Sequence, residues 1–171
     1  MPEQVKRIGN LQCNGTFQGS TKGDLSAHST MNTGIGNLVL DFAMTVDKQF
    51  RGNIDTKGLN LKQLLDNEKL GLLATNLTFD GQLFEGRAPN VNAQGVIQQL
   101  DYNEYPFTNI GINGSYSSQG ISGFLKVEDP NLALELEGAF LKTSSGNDIN
   151  LHGVVSHLVP QALKMSSKWQ D

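Results

Sequence analysis

From Asn109 to Phe140 apolar and polar residues alternate almost without a break. Ile110, Ile112, Gly114 and Tyr116 are interleaved with Gly111, Asn113 and Ser115. After a Ser-Ser-Gln-Gly stretch the rhythm returns as Ile121, Gly123, Leu125 and Val127. Asp129-Pro130-Asn131 is a turn signal, and Leu132, Leu134, Leu136, Gly138 and Phe140 follow, with Glu135 and Glu137 between them. Alternation of this kind sends successive side chains to opposite faces of a sheet. The turns are too short for a crossover helix, so these runs predict an antiparallel meander with one oily and one wet face.

The same grammar covers most of the chain. Met1 to Lys6 is polar and predicts a frayed end; Ile8 to Gln18 predicts a first strand, with Leu11, Cys13, Gly15 and Phe17 on one side. Thr21 to Asp24 reads as a turn and Leu25 to Met31 as a weak strand. Gly36 to Val46 places Leu38, Leu40, Phe42, Met44 and Val46 on one face, and Phe50, Gly52, Ile54 and Thr56 continue it after a turn at Asp47-Lys48-Gln49. Leu61, Leu64 and Leu65 are spaced for a helical turn that Asn60 can cap, which predicts a short helix over Leu61 to Asn67. Leu73, Leu77, Phe79 and Gly81 resume the strand period. Phe84 to Asn90 contains Gly86 and Pro89 and reads as irregular, and Val91 to Ile97 is the next strand, leading to a turn near Glu104-Tyr105-Pro106. Asp148 to Leu158 predicts a last strand, followed by a helical turn starting at Pro160.

Composition supports short strands and turns over helices: the chain has 171 residues, 19 of them Gly, with 18% charged. The length suits one domain, or a slice of something longer. A net charge of −4 with scattered Lys and Arg leaves no footprint for nucleic acid. Cys13, the single cysteine, can form no internal disulfide and anchor no metal cluster. No apolar run has the length of a spanning helix, and the first residues lack the core of a signal peptide.

Catalytic chemistry is hard to assemble from these residues. His28, His152 and His157 share no helical face and read as surface histidines. Glu135 and Glu137 read as a solvated pair on the wet face of one strand, and Gly34-Ile35-Gly36 lacks the third glycine and the helix of a dinucleotide loop. Asn14, Asn76 and Asn113 head glycosylation sequons of the kind that arise by chance in an Asn- and Thr-rich chain. The expectation is a protein that is not an enzyme and holds no cofactor and no metal.

A degenerate repeat runs through the chain. Gly52-Asn53-Ile54, Gly95-Val96-Ile97 and Gly153-Val154-Val155 each precede a Leu and a short closing segment, carrying Leu64, Phe107 and Leu163 in turn. The uneven spacing divides residues 1–171 into weak units of roughly 8–67, 68–107 and 108–171, all within a single β-rich segment. Phe50-Arg-Gly-Asn-Ile-Asp-Thr-Lys-Gly-Leu-Asn-Leu-Lys-Gln-Leu-Leu, followed by Asn67-Glu-Lys-Leu-Gly, resembles the TamB (translocation and assembly module) proteins of the AsmA-like superfamily. So do Gly95-Val-Ile-Gln-Gln-Leu-Asp-Tyr-Asn-Glu-Tyr-Pro-Phe-Thr-Asn-Ile, the stretch from Gly114-Ser-Tyr to Val127-Glu-Asp-Pro-Asn, and Leu158-Val-Pro-Gln-Ala-Leu with Lys168-Trp-Gln-Asp. The likeness covers most of residues 36–171 and carries no active-site signature.

The resemblance implies an internal fragment of a long periplasmic protein, anchored in the inner membrane of a Gram-negative bacterium. It implies a curved β-groove that conducts or shields phospholipid acyl chains, with a role in outer-membrane protein assembly. Implied partners are phospholipid acyl chains, neighbouring repeats of the same chain, and an outer-membrane β-barrel reached through regions absent here. The membrane anchor and the C-terminal domain that would engage that barrel are missing from this chain. The expected fold is all-β: a curved, mostly antiparallel sheet forming an elongated taco-like groove with an apolar interior and one or two short helices. Leu38, Leu40, Phe42, Phe50, Ile54, Leu73, Leu77, Phe79, Ile110, Ile112, Tyr116, Ile121, Leu125, Leu134, Leu136 and Phe140 are expected to face that interior as its lipid-lining residues. Alternation by itself is equally met by a structural or adhesive β-repeat whose oily faces bury each other in a closed dry core.

Overall fold

The computed structural model describes residues 7–20, 22–143 and 146–164. The expectations for Met1 to Lys6 and for the Lys168-Trp-Gln-Asp ending lie outside those residues. Each run of alternation becomes one strand: β1 (Leu11–Gly19), β2 (Leu25–Thr33), β3 (Gly36–Met44), β4 (Gln49–Asn60), β5 (Leu70–Phe84), β6 (Arg87–Tyr102), β7 (Tyr105–Ser117), β8 (Gly120–Asp129), β9 (Leu132–Thr143) and β10 (Gly146–Leu158). They pair antiparallel in strict chain order as a single ten-stranded sheet. The sheet curves into a groove and does not close into a barrel, so β1 and β10 remain its two edges.

One helix interrupts the meander, α1 (Leu61–Leu65), shorter than the Leu61 to Asn67 expected. The Asn60 side chain accepts the Gln63 N–H at 3.1 Å, the bond an N-cap supplies to an orphan donor. Asp66 adopts a left-handed conformation (φ 55°) and stops the helix before Asn67. After β10, Leu163 N–H bonds back to Val159 O at 3.3 Å, a single turn beginning around Pro160.

Three expected boundaries are corrected. Phe84 to Asn90 is not irregular: β5 runs through Phe84 and β6 starts at Arg87, whose guanidinium lies 3.7 Å from the centre of the Phe84 ring. Pro89 is accommodated because the β5–β6 register shifts beside it and β7 begins to pair with β6 only at Val91, so its missing N–H interrupts no ladder. The turn near Tyr105 falls earlier, at Asn103 (φ 52°) and Glu104 (φ 63°), a pair of left-handed residues that closes a two-residue hairpin. Tyr105 and Pro106 already belong to β7. Val46 does not extend β3 but lies in the turn made by Lys48 N–H to Thr45 O.

Candidate functional site: an apolar trough with one closed rim

Residues paired across an antiparallel ladder point to the same face, so the register fixes what each strand presents. One ladder runs Leu40, Ile54, Leu77, Gly95, Ile112, Leu125, Leu136 and Gly153. The next runs Phe42, Gly52, Phe79, Ala93, Gly114, Gly123, Gly138 and Leu151, and a third Met44, Phe50, Gly81, Val91, Tyr116, Ile121, Phe140 and Ile149. Leu38 enters the face through its partner Met31, Ile110 and Leu134 through Val127, and Leu73 by alternation from Thr75. All sixteen residues named from the sequence therefore share one face of one sheet.

That face is unevenly covered. Buried residues gather at the end of the strands where α1, the Asn103-Glu104 hairpin and the Pro160 turn sit: Ile35, Ile110, Val127 and Leu163 are each about 5–6% exposed. Thr56 and Thr75 are buried opposite one another there, their hydroxyls bonded to Asn37 O at 2.6 Å and Val96 O at 3.0 Å. Asp129 completes this rim. Its carboxylate accepts from Tyr105 Oη at 2.5 Å, from the Asn131 N–H, and from both the N–H and the hydroxyl of Thr108. Burial pushes the Asp129 carboxyl up, but the bonds from Tyr105, Asn131 and Thr108 outweigh it and hold the pKa below the ordinary aspartate value. Burial, and then the neighbouring Asp129, push the Tyr105 phenol up, so it stays a donor.

Along the strands away from this rim the cover thins. Ile112, Leu125 and Leu136 are half-buried, whereas Tyr116, Ile121 and Phe140 are 43%, 57% and 39% exposed. On β10, Leu151 and Ile149 are 67% and 75% exposed. Between the two bulky ladders the cross-strand neighbours Gly114, Gly123 and Gly138 carry no side chains, leaving a trough floor bounded by Ile112, Leu125 and Leu136 on one side and Tyr116, Ile121 and Phe140 on the other. Those walls stand four residues apart along the strand, roughly 13 Å. The resulting cavity of about 610 Å³ is lined by these residues together with Val91, Ala93, Ile149 and Leu151. Over β3 to β5 the trough is instead filled: Phe42, Phe50 and Phe79 stack with ring centres 6.2–6.5 Å apart.

The opposite face is polar. Asn53 donates to Asn76 and Asn76 to Asp55, Asn92 to Asp80, and Lys126 bridges Glu128 at 2.8 Å and Glu135 at 3.7 Å. Exposed apolar residues on that face stand singly, such as Phe124 between Asn113 and Glu137. His28 contacts Asp41 at 2.5 Å on the surface, while His152 and His157 are exposed on β10. Among the described residues no group of three His, Cys, Asp or Glu side chains is placed to hold a metal, and no helix is long and apolar enough to cross a membrane.

Sequence reasoning found the face but missed its glycine floor, because a cross-strand row is visible only once the register is known. It also missed Val91, Ile149 and Leu151 as lining residues. The alternation of Leu151 with Gly153 and Val155 was the available signal. No family model, no curated protein and no solved structure matches this chain.

Proposed function

We propose that the trough shields or conducts phospholipid acyl chains, and that the chain is an internal segment of a TamB-like, AsmA-related periplasmic bridge serving outer-membrane biogenesis. The observation that carries the reading is the uncovered apolar face: Ile121, Ile149, Leu151 and Val155 are all more than half exposed on the same side of one sheet. A contiguous apolar surface of this kind is unfavourable in water and signals an occupant. The walls leave room for straight hydrocarbon, the floor lacks side chains, and the trough offers few polar groups to fix the orientation of a compact polar ligand. The polar rear face, rich in Asn, Asp and Thr, keeps the other side in water. The resemblance in sequence order supports the same reading and adds the periplasmic setting.

The test is photo-crosslinking from a probe at Leu136, with a second probe at Val96, exposed on the rear face and away from the trough, in vesicles and in cells. Phospholipid captured at Leu136 and not at Val96 supports the conduit. Equal capture at both positions, or none, defeats it.

A further inference from the structure

We infer that Phe42, Phe50 and Phe79 form an aromatic barrier across the trough, where hydrocarbon held over β6 to β9 is stopped on its way toward β3 and β2. The inference rests on the acyl-chain reading above and adds to it the place where the path is controlled. It starts from the ladder that makes the trough floor. On one side of the stack that ladder is small, at Ala93, Gly114, Gly123 and Gly138. On the other side it is small again, at Ala27 on β2, the partner of Phe42. The wall also continues past the rings, through Leu77, Ile54 and Leu40. The trough therefore does not end at β5; the rings are set into it.

The rings close the floor by leaning together. Phe42 and Phe79 stand two strands apart, about 10 Å. Their ring centres are nevertheless only 6.5 Å apart. Gly52 lies between them, and the Phe79 ring takes the space of its missing β-carbon. Phe50 does the same over its partner Gly81, from the line of the second wall. Rings whose centres are within about 7 Å are in contact. Separations of 6.2–6.5 Å for all three pairs thus leave no gap for a hydrocarbon chain between them. The apolar cavity stops at the same place: it is lined as far as Val91 and Ala93 on β6, whose β5 partners are Gly81 and Phe79. Nor is the stack part of a sealed core. All three phenylalanines are half-buried, whereas the buried apolar residues gather at the closed rim. A half-buried ring can change rotamer without backbone movement, so the barrier can admit a chain by turning Phe79 or Phe50 aside.

The test is phospholipid photo-crosslinking from two probes in the same vesicles and cells, Leu136 on the near side of the stack and Ala27 on the far side. In the parent, capture at Ala27 should be several-fold below capture at Leu136. Phe79→Ala should raise capture at Ala27 several-fold. Phe79→Leu should do the same, and by keeping an apolar side chain it guards against loss of the fold. Phe79→Tyr keeps the ring and should hold capture at Ala27 at the parent's level. Equal capture at the two probes in the parent overturns the barrier. So does a folded Phe79→Leu protein in which Ala27 captures no more than in the parent, or a rise of the same size in Phe79→Tyr. Absence of capture at Leu136 in the parent is a different failure: it defeats the acyl-chain reading, and the barrier with it.

Discussion

The ring of Phe79 on β5 lies over Gly52 on β4, in the space a β-carbon at Gly52 would have to occupy. Phe42 flanks the same glycine from β3. Glycine is a weak strand former, yet here its missing side chain lets two aromatic rings approach from either side and join Phe50 in one stack. Gly52→Ala would force Phe79 off its rotamer, and the Asp41 carbonyl leaves no room on the other side. The expected cost is about 1–3 kcal/mol of unfolding free energy, read from the urea midpoint. An unchanged midpoint would mean that the stack contributes nothing to stability.

Asp129 anchors the closed rim, so its charge should be felt in acid. Its folded-state pKa is depressed relative to the unfolded chain. The stability it contributes is therefore present above the unfolded value, near pH 4, and is lost as pH falls through the folded one. Asp129→Asn keeps the shape but places an amide N–H₂ or a single oxygen before donors that need two acceptor oxygens. The variant should lose roughly 1–3 kcal/mol at neutral pH and show a flatter acid limb in thermal melts between about pH 5 and pH 2. An acid limb identical to the parent's would remove Asp129 from this role.

What could be read from the sequence, and what could not, divides on locality. Period-two alternation between Ile110 and Phe140 is a local signal, and it placed the strands and all sixteen interior residues on one face. The Asn60 cap was equally local. The two-residue hairpin falls earlier than the Tyr105-Pro106 turn signal suggests, because the chain reverses at the left-handed pair Asn103-Glu104, while Tyr105 is already in β7 and bonded to the distant Asp129. Asp129 itself was seen only as a turn residue, since its four donors come from segments far apart in sequence or from its own hairpin. The glycine row was invisible for the same reason: Gly114, Gly123 and Gly138 are unremarkable one at a time, and become a trough floor only when the register sets them side by side.

Leu134 is half-buried on the groove face, paired with Val127 and Val155. Leu134→Glu separates an open groove from a sealed core. In a sealed core the carboxylate costs several kcal/mol or must be protonated, and the domain unfolds. In a groove with water or headgroups at hand it stays hydrated, and the melting temperature should fall by only a few degrees. Lipid captured by the probe at Leu136 should nonetheless drop, because acyl chains would meet a charge in their path. Loss of the fold together with absent capture in the parent would point to a dry structural core.

Filling the trough is a sharper test than charging it, because the fold can be left intact. Gly114 is the position for this: a β-carbon there would come no closer than 3.4 Å to the Ser122 carbonyl oxygen and 4.0 Å to Gly123 Cα, ordinary contact distances. Gly123 is less suitable, since its β-carbon would stand 2.8 Å from the Asn113 carbonyl oxygen. Valine is a good strand former and glycine a poor one, so Gly114→Val should leave the melting temperature unchanged or raise it. Its two methyl groups would project from the floor between Ile112 and Tyr116 and block the straight path past Gly123 and Gly138. A binding pocket for a compact ligand elsewhere on the sheet would not notice this change, and neither would a purely structural repeat. Phospholipid crosslinking at Leu136 should fall several-fold in Gly114→Val with the fold preserved by circular dichroism. Undiminished capture in a stable Gly114→Val protein would show that acyl chains do not run along the glycine floor.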